Sequence, residues 1–179
     1  MKKSLTLVSV LVAGVIVTGS GNVSAQGFSR GRTVHETPAG GVNGGVVSGV
    51  KGANGGAGRI HGFATDGRGN AAGGSAGAFK TPGGAKGARA GMTVRSADGS
   101  VHHQSGGVVS GASGTASTSG SFDKKADGTV SGSRSTQMQS KTADASYQGQ
   151  TTYNATDGFQ HSATCTGTEG AVVSCPGQK

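Results

Sequence analysis

Leucine disappears from this sequence after Leu11, tryptophan never occurs, and aromatic residues make up only 4% of the chain. From residue 26 onward Leu, Ile, Val and Phe together fill eighteen of 154 positions: twelve Val, five Phe and the single Ile60. That share, about 12%, lies well under the roughly 20% below which chains fail to bury a core. Ordering the backbone costs about 1–2 kcal/mol per residue, and burial of so few aliphatic side chains does not offset it. Rossmann domains, TIM barrels, helical bundles and most enzyme folds are therefore argued against. Helix signals are missing as well. No apolar stripe recurs at i, i+3, i+4, and glycine occupies 37 of the 179 positions.

The one long apolar run stands at the start. Lys2 and Lys3 precede Leu5 to Val17, and small polar residues follow, ending Val23-Ser24-Ala25. This three-part pattern predicts a secretory signal peptide over residues 1–25, cleaved between Ala25 and Gln26. The run is too short for the roughly 20 residues that span a bilayer. Localisation is accordingly expected to be secreted or periplasmic, with no transmembrane segment in the mature chain. That chain, 26–179, carries 14 basic and 8 acidic residues. Its two cysteines, Cys165 and Cys175, are expected to pair in an oxidising compartment and close a C-terminal loop over 165–179. A metal pair would need further ligands at short spacing, and none is present.

A repeat of about thirty residues runs through the mature chain. Asp-Gly occurs at Asp66-Gly67, Asp98-Gly99, Asp127-Gly128 and Asp157-Gly158, with separations of 32, 29 and 30. The hexamer Gly44–Gly49 recurs unchanged as Gly106–Gly111, 62 residues later, and Gly73–Gly77 lies midway. Periods of this length mean stacked supersecondary units. Asp-Gly between alternating segments predicts two-residue hairpin turns with both central residues at φ > 0. The flanks of Asp98-Gly99 and Asp157-Gly158 are β-compatible with rough period-2 alternation. The fold expected is all-β or largely disordered: Gly/Ser/Thr-rich hairpin repeats, solenoid-like or stacked between chains, with no helical domain. Composition divides the mature chain into a Gly/Ala-rich, basic, flexible region (26–91) and Ser/Thr/Gln-rich hairpin repeats (92–164). The polar stretch from Ser131 to Tyr153 favours cross-β ladders without an aliphatic core. Lys124, Lys125, Arg134 and Lys141 read as gatekeepers against uncontrolled pairing.

Catalytic chemistry finds little support. Gly73–Gly77 matches G-x-S-x-G by letter but lacks the strand and helix that make a nucleophile elbow. The glycine-rich runs lack the Gly-Lys-Ser/Thr end of a phosphate loop. No paired carboxylates appear, so no enzyme and no cofactor is expected. His102 and His161 each follow an Asp-Gly aspartate by four residues, which suggests a histidine column across stacked repeats and a metal site. Solvated polar strand positions are the plainer reading and the preferred one, so no metal residue is assigned.

Nine basic residues from Arg30 to Arg95 face only Glu36 and Asp66 over the same stretch. This half reads as a cationic arm for anionic surfaces such as polysaccharide, DNA or lipopolysaccharide. Its aromatics look too sparse along the sequence to form a stacking platform. The functional expectation is a secreted bacterial structural, matrix or surface protein, of the kind that builds biofilm, self-assembling through hairpin repeats. The alternative is a cationic Gly-rich secreted module acting on anionic polymers or membranes, with antimicrobial action as one form of it. A polar β-array for carbohydrate or ice ranks third, because it lacks a regular Thr-x-Thr column.

Overall fold

The computed structural model describes residues 27–175. The predicted signal peptide and its cleavage site at Ala25 and Gln26 lie outside the described residues. Ten long strands follow one another with short connections: β1 (Gly27–Glu36), β2 (Val42–Lys51), β3 (Gly56–Thr65), β4 (Ala71–Lys80), β5 (Lys86–Arg95), β6 (Val101–Ser110), β7 (Gly114–Lys124), β8 (Val130–Ser140), β9 (Ser146–Asn154) and β10 (Gly158–Thr166). A 3₁₀ turn at Thr168–Gly170 and a two-residue β11 (Val172–Val173) complete the chain. Each strand pairs with its sequence neighbour in antiparallel register, giving one open eleven-stranded meander. Among the described residues no helix or second sheet covers either side. The all-β expectation holds, as a single layer rather than a solenoid.

The thirty-residue unit is one hairpin. Asp66, Asp98, Asp127 and Asp157 all stand at the same end of the sheet, after β3, β5, β7 and β9. The turns themselves differ from the expected two-residue type. Ser96–Ser100 and Lys125–Thr129 are closed by two backbone hydrogen bonds: the first residue donates to the fifth, and the fourth donates to the first. Thr37–Gly41 and Thr81–Ala85 close the same way. Only the fourth residue is left-handed, at φ 80, 79, 86 and 87° for Gly40, Gly84, Gly99 and Gly128. Asp98 and Asp127 therefore sit in the right-handed part of a three-residue loop, where the glycine absorbs the twist. Pro38 and Pro82 take the position after the first residue, where a fixed φ suits a type I turn. In the β9–β10 turn the side-chain oxygen of Asn154, not of Asp157, accepts the N–H groups of Thr156 and Asp157.

The repeated hexamers are not structural equivalents. Pairing across the sheet carries Gly44 to Phe63, Gly73, Thr93 and then His103. Gly106 lies three residues farther along β6, so the second hexamer has slid against the frame. An odd slip exchanges faces: the first valine of the pair, Val46, and its counterpart Val108 point to opposite sides. The compositional boundary at residues 91 and 92 falls inside β5, and residues 27–91 form full-length strands rather than a flexible arm. Small side chains alternate with larger ones and satisfy the backbone through the ladder alone, so a poor core does not prevent strand formation here.

Apolar burial is nearly nil. Among the described residues the buried hydrophobics are Cys165 and Cys175, at 7% and 5% exposure, and they form the expected disulfide. The bridge pins β11 against the last two residues of β10. Elsewhere the outer side of β10 is unpaired, as is the whole outer side of β1, whose ten residues are all exposed.

Candidate functional site: two unlike faces of one sheet

Residues directly opposite in an antiparallel ladder project from the same side, and alternate residues along a strand project from opposite sides. The register therefore sorts every strand residue to a face. All six strand arginines (Arg30, Arg32, Arg59, Arg89, Arg95 and Arg134) fall on one face. So do all five phenylalanines and both tyrosines. We refer to it as the arginine face.

Its residues form rows that run across the strands. One row reads Arg30, Ser48, Arg59, Gly77, Arg89, Gly107 from β1 to β6. Directly opposed like charges are unfavourable, and Ser48 and Gly77 keep the arginines two strands apart. Strand spacing then sets neighbouring arginines about 10 Å apart. A parallel row carries Phe63, His103, Phe122, Tyr153 and Phe159 on β3, β6, β7, β9 and β10. Glycine lies opposite the rings. A Cβ at Gly44 would sit 2.9 Å from Phe63 Cε1, and one at Gly87 would sit 2.6 Å from Phe79 Cε1. The Phe63 and Phe79 rings thus lie over the bare backbone of Gly44 and Gly87 and remain 40% and 41% exposed. Tyr153 and Phe159 pack together with ring centroids 4.7 Å apart.

Between these rows runs a shallow trough of about 650 Å³. Ser75, Gly91, Ser105 and Gly120 form its floor, with Arg89 and Thr118 along one side and His103 and Phe122 along the other. Arg134 Nε donates to Thr118 Oγ1 at 3.1 Å, which holds that guanidinium at the trough wall. Thr93 Oγ1 and His103 Nδ1 are 2.8 Å apart and orient the imidazole.

The opposite face is smaller in relief. Its three central rows hold no charged and no aromatic residue across all ten long strands. On β2 to β6 these rows carry Val47, Ile60, Met92, Val108 and four alanines. On β7 to β10 they are Ser, Thr and Gln, as in the cross-strand run Ser117, Gln137, Gln148, Thr164. The expected Ser/Thr/Gln ladder exists, formed within the chain. Charge is confined to the margins: Lys51, Lys80 and Lys86 at one end, His35 and the His102–Asp123 pair at the other. That pair is 2.5 Å apart and half exposed. We refer to this side as the small-residue face.

The remaining residues singled out in the sequence fall into place on this frame. His102 and His161 lie on opposite faces, so no histidine column forms; the ring of His161 meets Thr151 Oγ1 at 2.9 Å. The described residues hold no cluster of three or more metal-ligating side chains. Gly73–Gly77 runs straight through β4, and Ser75 sits on the trough floor with no turn beneath it. The gatekeeper residues Lys124, Lys125, Arg134 and Lys141 lie on inner strands and their turns, not at the edges. Lys141 Nζ instead ties the β8–β9 turn to Gly111 O at 3.0 Å. No described helix is long and apolar enough to cross a membrane.

The turn aspartates are local staples. Asp98 Oδ1 accepts Ser100 N–H at 2.8 Å, and Asp127 Oδ1 accepts Thr129 N–H at 2.8 Å. The hydroxyl and N–H of Ser100 hold the Asp98 carboxyl below its ordinary value, and the N–H and hydroxyl of Thr129 do the same for Asp127. At Asp66 the Asn70 amide is the chief cause of the same downward shift.

No protein-family profile, no curated protein and no solved structure matches the chain.

The face assignment escaped the sequence reading because it depends on register. Arginines spread over 105 residues and phenylalanines spread over 132 meet only once the ladder is fixed. A parity count along the Arg-x-Arg and Arg-x-x-x-Phe spacings, Arg30-x-Arg32 and Arg59 with Phe63, was the available signal.

Proposed function

We propose that the protein is a secreted structural component that works by self-association, a matrix or surface protein, and that the small-residue face is where copies meet. The carrying observation is a one-layer sheet with no core whose central rows on one side are uncharged. A single layer leaves Ile60 at 43% and Val47 at 54% exposure, a state that a second sheet relieves. Strand spacing and rise give that face about 1,500 Å², against the roughly 800 Å² per partner of a standard interface. Alanine, glycine and serine let two such faces approach closely, as in sheet-on-sheet packing. The arginine face is a poor alternative, since stacking it would bury like charges together.

Light scattering and negative-stain microscopy of the oxidised protein over a concentration series test the proposal. The expected result is particles that grow with concentration, with lysine at Ile60 and Ala90 abolishing growth. A particle that stays monomeric at every concentration would remove the reading.

A further inference from the structure

We propose that the arginine face is a binding surface for an extended acidic polysaccharide in which charged sugars alternate with neutral ones, lying across the strands along the trough. The inference does not depend on self-association, since it concerns the other side of the sheet.

Three observations carry it. The first is charge. This face holds six arginines and Lys124 against a single carboxylate, Glu36, at its corner. Among the described residues neither Arg59 nor Arg89 has a carboxylate partner, so their planar forks face carboxylates of a ligand. The second is spacing. Arg30, Arg59 and Arg89 stand about 10 Å apart in a straight row, set by two strand separations. Each strand of a nucleic acid duplex places a phosphate about every 3.4 Å of axis and would leave most of its charges unmet on such a ladder. A polymer with sparse, regular carboxylates fits it. The third is the chemistry beside the ladder. The trough floor offers the hydroxyls of Ser75 and Ser105, while those of Thr93 and Thr118 on the walls are engaged with His103 and with Ser135 O and Arg134. The floor hydroxyls are neutral hydrogen-bonding groups suited to sugar hydroxyls. Phe63 and Phe122 are 40% and 41% exposed, and an exposed apolar ring accepts the C–H side of a sugar.

The trough is open and shallow, so it takes a chain passing through rather than a small enclosed molecule. The arginines supply attraction and register; the ring row and hydroxyl floor supply preference for sugar over any other anion.

The test uses the oxidised protein and a labelled hyaluronan oligosaccharide, an alternating uronate–hexosamine chain, in fluorescence polarisation at low and high salt. Binding is expected at low salt and loss at high salt. The Arg59→Gln/Arg89→Gln double variant should weaken binding at least about tenfold, the size expected for charge-assisted contacts. Lys51→Gln/Lys86→Gln removes the same charge from the small-residue face and should change affinity less than about twofold. All four side chains are exposed, and circular dichroism checks that each variant keeps its sheet. Equal weakening by the two double variants would overturn the proposal, because net charge alone would then explain binding. Absence of hyaluronan binding, or tighter binding of an oligo(dT) of equal length, would overturn it as well.

Discussion

The two faces of this sheet share every backbone hydrogen bond and differ in almost everything else. One concentrates the arginines and all the aromatics; the other holds ten strands' worth of central rows without a charge or a ring. In a two-layer protein one face is buried and the other is wet, and the difference is apolar against polar. Here no layer covers either side, and the difference is between a surface suited to its own kind and a surface suited to an anion. A period-2 backbone lets one short sequence write both surfaces at once, since neighbouring residues address opposite sides.

Glycine shows the contrast at the level of single atoms. On the arginine face Gly87 is a seat for a ring: an added Cβ would meet Phe79 Cε1 at 2.6 Å and Val108 O at 2.9 Å. On the small-residue face Gly58 is merely small, its nearest neighbour to an added Cβ being Ser48 O at 3.8 Å. The same residue type is required at Gly87 and replaceable at Gly58.

Four changes break or sharpen the comparison. The largest effect is expected from lysine at Ile60 and Ala90, which places charge in the uncharged rows and should abolish association, read by particle size. Next is the disulfide. Reduction, or Cys165→Ser with Cys175→Ser, removes a loop constraint of about 2–3 kcal/mol and should free β11 and the end of β10 on both faces. Amide exchange should quicken there and stay unchanged in β2 to β6. Third, Gly87→Ala should destabilise by about 1–3 kcal/mol through ring displacement, while Gly58→Ala should be neutral or stabilise by up to about 1 kcal/mol. Opposite signs in thermal unfolding midpoint would establish the asymmetry. The smallest effect belongs to neither face but to the turn end. The Asp98 and Asp127 carboxyls are held below their ordinary value near 3.8 in the folded chain. Their stabilisation is therefore present above that value and lost as pH falls through the lowered one. Protection of the amides of Ser100 and Thr129 should drop in strongly acidic solution, and Asp98→Asn should remove that pH dependence at Ser100.

Much of the fold was legible in the sequence, and the reasons are physical. The Asp-Gly spacing of about thirty marks one hairpin because every second turn returns to the same end of the sheet. The lack of leucine after Leu11 and of tryptophan argues against an aliphatic core, and among the described residues the buried hydrophobics are Cys165 and Cys175. Asp-Gly fits two geometries, and here Ala97 and Ala126 join Asp98-Gly99 and Asp127-Gly128 as a third loop position. Thr-Pro-Ala-Gly-Gly and Thr-Pro-Gly-Gly-Ala form the same loop with no Asp-Gly to announce it. Residues 27–91 looked loose because composition counts glycine as flexibility. In register, Gly44 and Gly87 are places where a ring rests. The surface itself was the least legible part. Arg30 and Arg89 are 59 residues apart and join one row with Arg59 only through four intervening ladders.

The central claim is that the small-residue face joins copies while the arginine face stays free. Sedimentation velocity of two variants side by side tests it most directly: Ile60→Lys/Ala90→Lys from one face and Arg59→Gln/Arg89→Gln from the other. The account predicts that the first sediments as a monomer with its sheet intact, and that the second assembles as the unaltered protein does. Assembly by the first, or loss of assembly in the second alone, would contradict it.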